Sequence, residues 1–161
     1  MGYIALGILV FLFDIMTKFA AEAHLKLVDT IPLWNKVFHL TYVENRGIAF
    51  GLFSGERVTF IVVTVLVLAM LVILYVKTAK PERTRFMNYA MAFICGGAAG
   101  NLLERLAKGY VVDFLDFRGI HFPVFNVADI AVCLGAVLLM IHFLLADAKE
   151  ESSKEGEVSD Q

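Results

Sequence analysis

Four runs of this chain are long and apolar enough to cross a lipid bilayer, and this restricts its fold more than any other feature. A hydrocarbon core of about 30 Å needs about 20 helical residues rising about 1.5 Å each. The runs lie near 3–21, 58–76, 86–106 and 127–146 of 161 residues, which leaves little chain for a soluble domain. With 59% hydrophobic and only 19% charged residues, and a mean hydropathy of +0.73, the composition is that of a membrane protein. Residues 1–148 are therefore read as one mainly α domain of four transmembrane helices. The triplet Ala21-Glu22-Ala23 superficially resembles a signal-peptide cleavage site. No basic segment precedes the first run, however, and Asp14 and Lys18 interrupt it, so it is read as a retained span.

Charge placement predicts the topology. Lys77, Lys80, Arg83 and Arg85 crowd the short connection between the second and third spans, and such a loop stays in the cytoplasm. Both termini then face the cytoplasm, and connections 24–57 and 107–126 face outward. From Asp147 onward six acids stand against Lys149 and Lys154, so with a formal net charge of -2 the body is slightly basic. Residues 149–161 read as a disordered acidic tail. Nothing in this balance points to nucleic acid. Cys95 and Cys133 fall inside spans without disulfide or CxxC spacing, and His24, His39, His121 and His142 are scattered, so neither a metal nor a cofactor is expected.

The outward connections differ from the spans. Val37-Phe-His-Leu-Thr-Tyr-Val43 alternates as a strand does and precedes a turn at Asn45-Arg-Gly47. The second connection reads as a hairpin, with arms 110–117 and 120–125 about a turn at Arg118-Gly119. Together they predict a small β-sheet on the outer membrane surface, with Trp34, Tyr42 and Tyr110 in the interfacial aromatic belt.

Polar residues inside the spans converge in depth. Measured from the cytoplasmic ends by helical rise, Asp14 lies about 16 Å up, Lys18 about 22 Å, Asn101 about 21 Å, Arg105 about 27 Å and Asp129 about 25 Å. Asp14 and Lys18 share one helix face, and Asn101, Glu104 and Arg105 share another. An ionisable group at such depth is costly and marks function by default. Bland alternatives stand beside this. Asp14 with Lys18 also fits a structural ion pair, Glu104 with Arg105 a solvated helix end, and Gly96, Gly97 and Gly100 close helix packing. The uncharged second span reads as a lipid-facing wall.

The chemistry is read by elimination. The chain has no His-Glu-x-x-His, no Gly-x-Ser-x-Gly and no Asp-Thr/Ser-Gly, and no serine or threonine nucleophile with a convincing base. What remains is a pair of carboxylates, Asp113 in one outer connection and Asp129 at the start of the fourth span, with Asp116 a competitor for the first place. If two carboxylates approach closely, they share one proton and can hydrolyse an amide.

Asp14-Ile-Met-Thr-Lys18, Asn45-Arg-Gly-Ile-Ala-Phe50, Gly96-Gly-Ala-Ala-Gly-Asn101 followed by Arg105, Val112-Asp-Phe114 and Phe125-Asn-Val-Ala-Asp129 together resemble the bacterial lipoprotein signal peptidases, also called signal peptidase II. The resemblance runs in order through the whole chain before the tail. It implies an inner-membrane aspartyl endopeptidase that cuts prolipoproteins just before a cysteine carrying diacylglycerol. It further implies a catalytic pair of Asp113 and Asp129, a site lined by Asn45, Asn101, Arg105 and Asn126, support from Asp14 and Lys18, and inhibition by the cyclic peptide globomycin. Where that family usually has Asp, this chain has Glu104. The substrate is expected to enter sideways from the lipid, and Arg46, Phe50 and Phe53 in the first outer connection are candidates for a mobile lid. The expected partners are diacylglyceryl prolipoproteins and membrane lipids, and the expected state is a monomer. Rival readings are a small proton- or ion-coupled transport subunit, since paired carboxylates also serve as relays, and a scaffold that packs with partners.

Overall fold

The computed structural model describes residues 2–47, 57–78 and 84–159. Its elements are α1 (Gly2–Leu25), β1 (Thr30–Trp34), β2 (Phe38–Asn45), α2 (Arg57–Thr78), α3 (Thr84–Ala107), β3 (Val111–Asp116), a 3-10 turn (Arg118–Ile120) and α4 (Val127–Ser159). The segments Gly2–Leu25, Val58–Lys77, Arg85–Ala107 and Val127–Leu145 are long and apolar enough to cross a membrane. The backbone of α4 stays helical to Ser159, through residues that composition predicts to be disordered. Ala, Lys and Glu dominate its start beyond Leu145, and these are strong helix formers once a preceding helix supplies the nucleus.

Helix α3 is the hub, packed against α1, α2 and α4. Its small residues permit this. A Cβ on Gly96 would lie 2.5 Å from the Gly7 carbonyl oxygen of α1, and one on Gly97 would lie 2.6 Å from the Ala128 carbonyl oxygen of α4. On adjoining faces of α3, these glycines let the backbones of α1 and α4 close in. Helix α2 leans on α3 and leaves much of its apolar surface facing outward, as expected for a wall against lipid.

The strands form one antiparallel sheet in the order β1-β2-β3. Thr30 pairs with Thr41 and Ile31 with Leu40, while Val43 pairs with Asp113 and Asn45 with Val111. Between Leu40 and Val43 the register shifts, and such a bulge re-aims the side chains beyond it. Val112 and Phe114 pack on Ala21 and Leu25 at the end of α1, which ties the sheet to the helices.

Two details of the sheet and its connections also differ from the sequence reading. β1 was not legible as a strand because Pro32 interrupts it, yet as an edge strand it tolerates the missing donor. The predicted hairpin arm at 120–125 is not a strand. Arg118–Ile120 forms a 3-10 turn, His121 takes a left-handed φ of 52° and Pro123 offers no N–H, so pairing shrinks to the Leu115–Phe125 bridge.

Candidate active site

Asn126 is the last residue before α4, and its side-chain Oδ1 accepts the Asp129 N–H at 3.0 Å while Asp129 Oδ2 accepts the Asn126 N–H at 3.1 Å. This reciprocal cap satisfies two orphan donors of the helix start and holds the Asp129 carboxylate in place. The Asn126 amide also donates to Asp113 Oδ1 at 2.6 Å, across from β3, and to Asn101 Oδ1 at 3.2 Å. Asn101 in turn donates to Asp129 Oδ1 at 2.9 Å. On the far side Asn45 donates to Asp113 Oδ2 at 2.8 Å, and its own Oδ1 accepts the Gly47 N–H at 3.0 Å, which fixes the amide orientation. Three asparagines thus hold two carboxylates from four elements of the fold and the turn before α4.

Asp113 and Asn126 are fully buried. Burial pushes the Asp113 carboxyl up to about 7; the charge of Asp129 acts in the same direction, and the hydrogen bonds from Asn45 and Asn126 oppose it.

A second polar layer lies behind the first. Lys18, 1% exposed, pairs with Asp14 at 2.7 Å and with Glu104 at 3.5 Å, and donates to Asn101 Oδ1 at 2.6 Å. Asp14 Oδ1 accepts the Ala128 N–H at 2.8 Å, so a carboxylate of α1 sits at the positive end of α4. Asp14 and Lys18 therefore form a buried ion pair that also contacts Asn101 and the start of α4. A methyl on Gly100 would run into the Asp14 carboxylate. Gly100→Ala is accordingly expected to lower stability by about 1–3 kcal/mol and to reduce turnover. The control is Gly2→Ala, whose added carbon meets nothing within 4 Å and should leave the thermal midpoint unchanged.

A cavity of about 930 Å³ has Asp113, Asp129 and Arg105 at one end and runs along α4 past Ile130, Leu134 and Val137. Arg46 and Gly47 lie on its rim, where the Arg46 guanidinium stands over the Tyr110 ring at 5.6 Å. A smaller cavity of about 360 Å³ among α2, α3 and α4 shares Arg105 and Asp129 with it. Arg105 also lies over the Phe60 ring of α2 at 5.4 Å. The polar end of the site is thus flanked by two apolar spaces between helices.

Asp14, Lys18, Asn45, Arg46, Asn101, Arg105, Asp113, Asn126 and Asp129 all fall in this region. Asp116 does not: it accepts from Thr41 at 2.6 Å and pairs with Arg118 at 2.7 Å, apart from the cavity. The alternative of a solvated helix end fails for Glu104, which is 4% exposed. Phe50 and Phe53, the other lid candidates, lie outside the described residues. Sequence reasoning missed Cys133 as a lining residue of both cavities and Phe60 as the ring beneath Arg105, and Cys133 was detectable only by its i+4 spacing from Asp129. Among the described residues no group of His, Cys, Asp and Glu is arranged to hold a metal ion.

Residues 6–145 match the family model described as signal peptidase (SPase) II. The lipoprotein signal peptidase of Halothermothrix orenii is 46% identical over 84% of this chain and 90% of its own length. That of Caldanaerobacter subterraneus subsp. tengcongensis is 45% identical over 86% and 92%. A solved bacterial membrane enzyme, determined by the in meso method at 2.3 Å resolution, superposes with a TM-score of 0.83 at 31% identity, covering 92% of this chain and 90% of that one.

Proposed function

The chain belongs to the signal peptidase II family of multi-pass bacterial membrane proteins, which remove signal peptides from prolipoproteins, and from that premise we propose that it is an aspartyl endopeptidase using Asp113 and Asp129. The observation that carries the reading is Asn126, whose side chain binds Asp113 while its backbone N–H binds Asp129, so that both carboxylates meet one end of the large cavity. A pair holding a single proton supplies both functions that amide hydrolysis needs. The ionised carboxylate takes a proton from water, the resulting hydroxide attacks the scissile carbonyl, and the protonated carboxyl donates to its oxygen. Collapse of the tetrahedral intermediate breaks the C–N bond: the proton taken from water passes to the departing amine, and a hydroxyl of the intermediate returns its proton to the other carboxylate, which restores the shared proton. The two roles belong to the coupled pair rather than to either residue.

Asn45, Asn101 and Asn126 orient the pair, Arg105 faces the substrate, and Asp14 and Lys18 brace Asn101 and the start of α4. The apolar wall of α4 past Ile130 and Leu134 suits a signal helix arriving sideways from lipid, with its diacylglyceryl cysteine toward the outer end of the cavity. Arg46 and Gly47 border that entrance. In this reading both termini are cytoplasmic, the site lies near the outer face and the enzyme acts as a monomer.

Purified protein in detergent or lipid is expected to cut a diacylglyceryl-modified prolipoprotein on the N-terminal side of the modified cysteine, and globomycin is expected to block it. Equal cutting of the unmodified precursor would overturn the substrate assignment, and chelator-sensitive turnover would overturn the metal-free mechanism.

The pH profile is a second test. Because the Asp113 carboxyl is raised to about 7, the shared proton is present below that pH and lost above it, so kcat should fall along an alkaline limb near 7. Stability carries the matching sign. Between the ordinary carboxyl value of 3.8 and about 7 the folded state binds the extra proton, so stability declines as pH rises through that window and is flat above it. A rate independent of pH from 6 to 9 at saturating substrate would contradict a pair titrating near about 7.

A further inference from the structure

Glu104 is a buried carboxylate to which the hydrolytic mechanism assigns no part. It sits in the last turn of α3, where Oε2 accepts the Val112 N–H at 2.9 Å and meets Lys18 Nζ at 3.5 Å, while Oε1 pairs with Lys108 Nζ at 3.0 Å. Val112 directly precedes Asp113. Lys18 donates to Asn101 Oδ1, which leaves the Asn101 NH₂ directed at Asp129 Oδ1. One carboxylate is therefore linked to Asp113 through the backbone of β3 and to Asp129 through Lys18 and Asn101.

We propose that Glu104 is a positioning residue that sets the placement of the two aspartates relative to each other and, through its charge, the pH range over which they keep their shared proton. This rests on the aspartyl reading of the site. The charged groups around Glu104 are Lys18, Asp14 and, through Lys108, Glu22 on α1; Arg105 on α3 and Lys108 just beyond it; Asp113 on β3; and Asp129 on α4. The positive charge of Lys18 already draws Asp113 toward the ionised form, against burial. With Glu104 neutral, Asp14 is the remaining carboxylate paired with Lys18 among the described residues, the field at the pair becomes more positive, and its proton leaves at lower pH. Carboxylate length matters as well, since the arm must reach Val112 and Lys18 together.

The test measures kcat and KM against pH for wild type, Glu104→Gln, Glu104→Asp and Asp113→Asn. Glu104→Gln keeps an acceptor for the Val112 N–H and loses the charge. Its kcat should fall about tenfold with KM little changed, and its alkaline limb should move down by about one pH unit. Glu104→Asp keeps the charge on a shorter arm, so it should lose rate while its limb stays in place. An unmoved limb in Glu104→Gln, or wild-type rates in both variants, overturns the proposal. Should Glu104→Gln not be recovered folded, Lys108→Met serves instead. It removes a cationic partner of Glu104 and should move the limb upward, and an unmoved limb again overturns the idea. Wild-type turnover by Asp113→Asn would instead sink the aspartyl reading itself, an outcome the Glu104 series cannot mimic.

Discussion

Asp113→Asn and Asp129→Asn should each lower kcat on the order of 10³-fold or more while leaving KM close to wild type. The amide keeps the shape of the carboxylate but can neither hold nor release the shared proton. Some stability will be lost too. Asp113 accepts from two amide donors, Asn45 and Asn126, and a substituted amide brings its own NH₂ against one of them, at a cost of about 1–3 kcal/mol. Rates therefore have to be compared on protein shown to be folded by size-exclusion chromatography and thermal midpoint. Asp116→Asn is the control, expected to stay within about twofold of wild type because its contacts are to Thr41 and Arg118. Near-normal turnover in either variant of the pair would make that aspartate structural.

Lys18→Met should be among the most destabilising single changes in the chain, costing about 3–5 kcal/mol. It leaves the buried carboxylate of Asp14 with only the Ala128 N–H, takes one of two cationic partners from Glu104 and removes the donor that orients Asn101. Adding Asp14→Asn relieves one uncompensated charge, so the double variant should be more stable than Lys18→Met alone, although the site stays slack and turnover low. Thermal unfolding in detergent across the four members of this cycle measures the coupling. A loss below about 1 kcal/mol for Lys18→Met would mean that water reaches the pair and that it behaves as a surface ion pair.

The charge-carrying residues show where reading the sequence stops. Helical rise alone placed Asp14, Lys18, Asn101, Arg105 and Asp129 at similar depth, and their links confirm that they meet. It did not separate Glu104 from a solvated helix end, because three residues of α3 beyond Asn101 lead equally well toward water or toward α1. The buried answer depends on Lys18 and on the Val112 N–H, both remote in sequence.

By itself the sequence determined the four spans, since apolar length against bilayer thickness is a local property that needs no partner. It also determined that the connections between spans would form a small sheet, although it left Asp116 a competitor of Asp113. Tertiary structure decided that Asp113 and not Asp116 meets the start of α4, that β1 pairs at an edge despite Pro32, and that Pro123 and a left-handed His121 leave one bridge where a hairpin was expected. Those outcomes depend on which donors and acceptors, far apart along the chain, find each other once α3 has drawn α1 and α4 together on its glycines.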